Sequence, residues 1–235
     1  LINNAAVSIA APFAEMTACD FQRHIDVNLM GAVWCARAAW PHMLAAGYGR
    51  IVNTTSAAMG GFALQAAYSA SKGGLWSFTR ALAAEGAAHG IKANAVSPGA
   101  FSRLVASMLE ADSPLLAHAR ESLAPELASP VVALLAHETC PANGECLDAV
   151  GGQVQRTHRR WRPRGERWGR GPPALGGQVQ RTAMTRTEGF ADTALTVETV
   201  ARRWHEIMDL AGASLVPIGD FDTSSWKLKP YRAAP

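Results

Sequence analysis

The stretch that most constrains the fold and chemistry of this chain runs from Ser56 to Lys72 and includes Tyr68. Tyr68 and Lys72 are four residues apart, so on a helix their side chains would share one face and interact. A phenol with a pKa of about 10 exchanges protons poorly at neutral pH. An ammonium group beside it favours the phenolate. We therefore expect Lys72 to lower the pKa of Tyr68 and make it a general acid or base.

A Tyr-x-x-x-Lys pair alone is as typical of an ordinary helix surface as of an active site. Here the pair has companions in a fixed order. They are Asn3-Asn4-Ala5-Ala6, Asn28-Leu-Met-Gly31, Ser56 after a β-branched strand, and Asn94-Ala-Val-Ser-Pro98-Gly99. Together these motifs resemble the short-chain dehydrogenase/reductase family, whose members move a hydride between NAD or NADP and an alcohol or carbonyl. The resemblance covers about residues 1–150.

The resemblance implies an α/β fold, a Rossmann-like doubly wound parallel sheet. Residues 1–152 would be the C-terminal part of that domain. Leu1-Ile2 is typical of the end of a buried strand, and no Gly-rich phosphate-binding turn precedes it. We therefore expect the first βαβαβ half, with the residue that selects NAD or NADP, to be missing. A chain without that turn should bind the dinucleotide weakly.

The family also implies roles for individual residues. Tyr68 would exchange the proton with the substrate oxygen, and Ser56 would hold that oxygen by a hydrogen bond. Ser56 lies twelve residues before Tyr68, one fewer than is commonest in the family, so Thr55 is the alternative hydroxyl. Asn28 would kink its helix and hold a water in a proton relay, the alternative being a bond to a neighbouring carbonyl. The implied cofactor-binding residues are Asn4, Ala5, Tyr68, Lys72, Pro98 and Gly99.

Residues 100–121 would form a mobile cover over the substrate. Phe101, Leu104 and Met108 are apolar, as a pocket for an acyl or ring-shaped substrate requires, although they could equally pack onto the domain. The helix predicted from Tyr68 to about Ala88 has an apolar stripe. Such a stripe is typical of a core or subunit contact, and family members commonly use it to form a homodimer or homotetramer.

The bulk composition excludes several classes of protein. No run of 18 apolar residues is present that could span a membrane. The four cysteines show no C-x-x-C spacing, which argues against a metal site or a disulfide framework and for buried thiols in the reducing cytoplasm. The formal net charge is +3, but residues 158–175 contribute six Arg and one Glu, so the remainder is weakly acidic.

That basic segment lies between two copies of one motif, Gly-Gly-Gln-Val-Gln-Arg-Thr, which end at Thr157 and Thr182. We interpret residues 153–182 as a disordered basic insertion with a duplicated linker. Arg and Trp side chains can bind single-stranded nucleic acid, which is a less favoured interpretation. Residues 183–235 would be a C-terminal extension with one amphipathic helix capped by Thr196. Its apolar face would comprise Val197, Val200, Trp204, Ile207 and Met208.

The C-terminal extension and the region from Ser102 to Glu145 are similar to one subgroup, the (3R)-hydroxyacyl-CoA dehydrogenase part of peroxisomal multifunctional enzymes. The subgroup implies a 3-hydroxyacyl thioester substrate, with a steroid or another small secondary alcohol as the alternative. Two rival classes are an inactive fragment or non-catalytic relative and the nucleic-acid-binding module. The intact Ser, Tyr, Lys and Asn set favours the oxidoreductase.

Overall fold

The structure is a computed structural model that describes residues 1–161, 182–186, 189–191, 195–209 and 214–215. Its strands form one sheet in the order β1-β2-β3-β4-β5-β6-β8, with β7 beside β5. The strands are β1 (Ile2–Asn3), β2 (Gly49–Thr54), β3 (Ile91–Gly99), β4 (Cys146–Val150), β5 (Gln153–Trp161), β6 (Thr182–Arg186), β7 (Phe190–Ala191) and β8 (Ser214–Leu215). The helices are α1 (Ala18–His24), α2 (Gly31–Ala46), α3 (Ala66–Gly86), α4 (Arg103–Met108), α5 (Pro114–Ser122), α6 (Ser129–Ala136), α7 (Val197–Arg202) and α8 (Trp204–Met208).

The first four strands are parallel, and helices cross between them. Strand β2 reads Gly-Arg-Ile-Val-Asn-Thr, and its Ile51 and Val52 are fully buried. Near-continuous burial of this kind is expected for a parallel strand covered on both faces. The predicted Rossmann-like α/β fold is confirmed.

Helices α1 and α2 are joined by a π-helical segment, Ile25–Met30. The amide of Gly31 donates to the carbonyl of Asp26, five residues back. At the start of α1, Thr17 Oγ1 accepts a hydrogen bond from the Asp20 amide at 3.1 Å and caps the helix. The π-helical turn shifts the helical register at Asn28, and such turns are frequent at functional sites.

The helix predicted from Tyr68 begins two residues earlier, at Ala66, and ends as an α-helix at Gly86. Leu75 and Thr79 of its predicted apolar stripe are buried, and the helix packs against β3. This part of the stripe is therefore core.

The predicted end of the fold at Gly152 is wrong. Gly151 and Gly152 have φ values of 55° and 80°, and Val150 pairs with Gln153 across them. Two consecutive residues with positive φ make a tight hairpin turn that suits glycine, so β5 folds back antiparallel to β4. The strand extends to Trp161 and includes residues for which we predicted no strand. The rest of the predicted basic insertion, residues 162–181, lies outside the described residues.

The C-terminal helix forms as two short helices, α7 and α8, which meet at Arg203. Thr196 Oγ1 accepts from the Thr199 amide at 3.1 Å, which confirms the predicted cap. Val200 and Ile207 are fully buried in a core cluster with the sheet and α6. This part of the extension is therefore packed onto the α/β domain.

The prediction of buried thiols is wrong for two of the cysteines. Cys140 and Cys146 are buried, whereas Cys19 and Cys35 are exposed on the outer faces of α1 and α2. Within the described ranges, no helix is long and apolar enough to cross a membrane.

Candidate functional site

The carboxyl ends of the parallel strands carry most of the predicted site residues. Asn4 and Ala5 follow β1, Thr55 and Ser56 follow β2, and Pro98 and Gly99 end β3. Asn4 Oδ1 accepts from Thr54 Oγ1 at 3.0 Å, which joins the first two strand ends. In open α/β sheets this edge is where ligands bind.

Tyr68 and Lys72 lie together in the first turns of α3, as their spacing predicts. The Lys72 Nζ atom is 5.6 Å from the centroid of the Tyr68 ring. The Ser56 hydroxyl lies within hydrogen-bonding reach of the Tyr68 phenol and acts to lower its pKa. The structure therefore brings Ser56, Tyr68 and Lys72 into one group at the end of β2.

The expected lowering of the Tyr68 pKa by Lys72 is not found. Burial raises the pKa of Tyr68 above 10.0, and the hydrogen bond from Ser56 opposes this rise only in part. Desolvation disfavours the charged phenolate, and the burial of the ring could not be predicted from the spacing of Tyr68 and Lys72. At neutral pH the Tyr68 side chain is therefore a protonated phenol that can donate a proton.

Lys72 is only 1% exposed, and burial lowers its pKa to about 8. Its ammonium group donates one hydrogen bond to the Thr54 carbonyl at 2.7 Å. An ammonium carries three N–H donors, and among the described residues this is the one hydrogen-bond acceptor it has. A buried cation with spare donors at the strand ends fits the ribose hydroxyls of a nicotinamide dinucleotide.

The two candidate hydroxyls are used differently. Thr55 is 2% exposed, and its Oγ1 donates to the Lys72 carbonyl at 3.0 Å. Ser56 Oγ accepts from the Ala58 amide at 3.2 Å and lies beside Tyr68. The geometry thus favours Ser56 over Thr55 as the hydroxyl that meets a substrate.

Asn28 is fully buried in the π-helical segment. Its Oδ1 accepts from the Val7 amide at 2.8 Å, and its Nδ2 donates to the Val7 carbonyl at 2.9 Å and to Ser71 Oγ at 3.1 Å. Ser71 Oγ in turn donates to the Tyr68 carbonyl at 2.8 Å. Asn28 therefore links the segment after β1 to the helix that carries Tyr68.

Sequence reasoning did not identify His24, which is fully buried with its ring centroid 6.4 Å from that of Tyr68. The available signal was its position four residues before Asn28, on the same helical face.

Phe101, Leu104 and Met108 lie half-buried on the segment after β3. The Phe101 amide donates to the Leu123 carbonyl at 2.6 Å. The predicted contact of Phe101, Leu104 and Met108 with the substrate stays a prediction.

Comparison with known proteins agrees with this fold. The sequence model of the short chain dehydrogenase family matches residues 1–113. A protein of Mycobacterium tuberculosis named as a short-chain type dehydrogenase/reductase is 34% identical over 218 residues, covering 92% of this chain and 65% of that protein. The full-length peroxisomal multifunctional enzyme type 2 from Drosophila melanogaster superposes with a TM-score of 0.60 at 28% identity, over 96% of this chain and 36% of that one.

A third relative is a solved gluconate 5-dehydrogenase from Burkholderia cenocepacia in complex with NADP and tartrate. It has a TM-score of 0.57 at 30% identity and covers 65% of this chain and 63% of that chain. Fold and site together define a Rossmann-like α/β domain with a Ser-Tyr-Lys set at its strand ends. The chain belongs to the short-chain dehydrogenase family. It spans 65% of the mycobacterial relative and 36% of the fly enzyme.

Proposed function

We propose that this chain carries the catalytic residues of an NAD(P)-dependent oxidoreductase that interconverts a secondary alcohol and a carbonyl. The observation that carries the proposal is the grouping of Ser56, Tyr68 and Lys72 at the carboxyl end of β2. A hydroxyl, a phenol and an ammonium in this arrangement can bind an oxygen atom, exchange its proton and hold a cofactor sugar.

Tyr68 is the group that exchanges a proton with the substrate oxygen, and Ser56 holds that oxygen by a hydrogen bond. The bound nicotinamide would supply the hydride chemistry, for which the protein provides position and electrostatics. Because burial raises the pKa of Tyr68, the phenol is protonated at neutral pH and can protonate the oxygen of a carbonyl to which the cofactor would supply the hydride. Alcohol oxidation requires its conjugate base, so that direction should accelerate as pH rises.

The cofactor would be NAD or NADP. The spare donors of Lys72 would bind the nicotinamide ribose, and Asn4, Ala5, Pro98 and Gly99 would border the dinucleotide at the strand ends. Asn28 is proposed to support a proton relay through water. Its side-chain amide is occupied by Val7 and Ser71, so it would act by fixing the surrounding backbone.

A 3-hydroxyacyl thioester is the preferred substrate class, because the sequence resembles the hydroxyacyl subgroup and the fly multifunctional enzyme matches 96% of the chain. Half-buried Phe101, Leu104 and Met108 would contact the acyl portion. A steroid or small cyclic alcohol is the alternative substrate. We also propose a homodimer or homotetramer formed through the outer face of α3.

The test is turnover of 3-oxoacyl-CoA and of a cyclic ketone with NADH or NADPH, followed by absorbance. Tyr68→Phe should lower turnover by roughly 10³-fold, because it deletes the proton donor. Cofactor affinity, measured by calorimetry, should stay nearly unchanged. Tyr48→Phe is the matched control, since Tyr48 is exposed at the other end of β2. Undiminished turnover in Tyr68→Phe would remove Tyr68 from the mechanism.

A further inference from the structure

His24 is a buried polar side chain that the proposed reaction does not use. It is the last residue of α1 and is 0% exposed. Its Nδ1 lies 2.7 Å from the Asp20 carbonyl, and its Nε2 lies 3.0 Å from the Ile9 amide nitrogen. A carbonyl can only accept and an amide N–H can only donate, so Nδ1 carries the proton and Nε2 is the acceptor. The partners thus fix both the neutral tautomer and the plane of the ring.

The ring of His24 meets the ring of Tyr68 edge-on. The two centroids are 6.4 Å apart, and the ring planes make an angle of 78°. An edge-to-face contact of this kind is a favoured aromatic geometry with a defined orientation. Tyr68 is therefore bordered by Ser56 at its hydroxyl, Lys72 at 5.6 Å from its centroid, and the His24 ring at its side.

His24 also acts together with Asn28. Asn28 Oδ1 accepts from the Val7 amide at 2.8 Å, and His24 Nε2 accepts from the Ile9 amide at 3.0 Å. The segment after β1 is thereby held at two points beside Tyr68.

We propose that His24 is a positioning residue, which holds the Tyr68 ring in its working orientation through edge-on contact and holds the segment at residues 7–9 through Ile9. This role rests on the proposed function of Tyr68. Two substitutions separate its parts. His24→Phe keeps a ring but has no acceptor for the Ile9 amide, whereas His24→Gln keeps an acceptor but has no ring.

Two measurements that do not require turnover test the contact with the Tyr68 ring and the hydrogen bond from Ile9 separately. The chain has three tyrosines, so ¹³Cζ-labelled tyrosine gives few signals, and Tyr68→Phe assigns that of Tyr68. Because burial raises the pKa of Tyr68, His24→Gln should expose the ring and move its titration towards 10.0. His24→Phe should preserve that titration but speed hydrogen exchange of the Ile9 amide by roughly 10-fold or more.

Turnover gives the third readout. His24→Gln should lower kcat by roughly 10-fold with KM unchanged, since a misplaced proton donor affects the reaction more than binding. His24→Phe should restore most of kcat. His42→Gln, on the exposed face of α2, is the control and should change none of the three readouts.

The outcomes separate this proposal from the proposed function. If wild-type protein binds the dinucleotide but turns over none of the alcohols or ketones, the proposed function fails, while the Tyr68 titration and Ile9 exchange still decide the role of His24. Positioning by His24 is overturned if His24→Phe and His24→Gln, both folded, leave Tyr68 titration and kcat at wild-type values. It is also overturned if the two variants change these readouts to the same extent. If His24→Phe does not fold, His24→Gln decides by its Tyr68 titration alone.

Discussion

The two ends of strand β2 each hold a buried cation, and the two cations are satisfied to very different degrees. At the amino end, the Arg50 guanidinium donates to four backbone carbonyls, those of Gly49, Gly90, His137 and Glu138, at 2.7–3.2 Å. It also lies 4.5 Å from the centroid of the Tyr48 ring. At the carboxyl end, Lys72 donates to one carbonyl in the part of the chain that the structure describes.

This difference indicates what each end does. A buried charge is costly unless its hydrogen-bonding groups are paired. Arg50 has its donors paired by carbonyls from β2 itself and from two loops, so it stabilises the fold. Lys72 is left with spare donors in a site with Ser56 and Tyr68, so part of its burial cost is unrelieved until a ligand binds. Substitutions at the two ends should therefore have opposite effects on stability and activity.

The largest stability effect is expected for Arg50→Met. The change leaves four backbone carbonyls without their charged donor, so the free energy of unfolding should fall by about 3 kcal/mol. Urea unfolding measures it. Arg37→Met is the control, since Arg37 is exposed on α2 with a ring contact to Trp34 at 5.9 Å. Equal losses in the two variants would contradict a structural role specific to Arg50.

The next prediction separates two adjacent hydroxyls at the carboxyl end of β2. Ser56→Ala should lower turnover by roughly 10²-fold, because it removes a donor to the substrate oxygen, and should cost about 1 kcal/mol of stability, because it deletes the bond from the Ala58 amide. Thr55→Val should cost a similar amount, about 1 kcal/mol, because it deletes the bond to the Lys72 carbonyl. Its turnover should stay near wild type. The opposite pattern would make Thr55 the substrate-binding hydroxyl.

At the carboxyl end of β2, the sequence predicted the features that depend on the order and spacing of residues. The helical spacing of Tyr68 and Lys72 and the strand before Ser56 both appear in the structure. The direction of the Tyr68 pKa could not be predicted, because it depends on burial by residues distant in sequence. His24 was missed for the same reason: its partners Ile9 and Tyr68 come from other elements.

The amino end of β2 and the β4–β5 hairpin were less predictable from the sequence. Arg50 is followed by an apolar strand and has no motif, and its acceptors are backbone carbonyls that any residue type can supply. The β4–β5 hairpin did have a signal in Gly151-Gly152, a dipeptide typical of two-residue turns. The expectation that the fold ends there outweighed it.

Lys72→Met should stabilise the protein at pH 7, by about 2 kcal/mol, although it removes a cofactor-binding group. Burial lowers the pKa of Lys72 in the folded state to about 8 from its ordinary value of 10.5, so below pH 8 the folded state bears the full cost of the buried charge. Between these values the unfolded chain binds more protons, so wild-type stability rises with pH. The advantage of the variant should therefore shrink from pH 8 to about 10.5.

Urea unfolding at several pH values tests this prediction. A stability difference between Lys72→Met and wild type that stays constant from pH 7 to 10 would show that the ammonium is not buried at a cost. Above about pH 10, ionisation of tyrosine in the unfolded chain lowers stability in both proteins, because burial raises the pKa of Tyr68 in the fold.

The smallest effect concerns backbone strain, which also differs between the two ends. Among the described residues, Leu64 is the non-glycine residue with positive φ, 64°, and its carbonyl accepts from the Ala11 amide at 2.8 Å. It lies four residues before Tyr68 and is 37% exposed. Leu44 is 40% exposed in the last turn of α2, close to the amino end of β2. The two leucines are thus matched in exposure and differ in backbone conformation.

Leu64→Gly relieves a left-handed conformation that glycine adopts freely, and this gain offsets the greater freedom of glycine in the unfolded chain. We expect stability within about 0.5 kcal/mol of wild type or slightly higher. Leu44→Gly has no strain to relieve and should lose about 1 kcal/mol, the usual cost of glycine in a helix. Paired urea unfolding curves measure the difference. Equal losses at both positions would show that the backbone before Tyr68 is not strained, and that the two ends of β2 differ in charge alone.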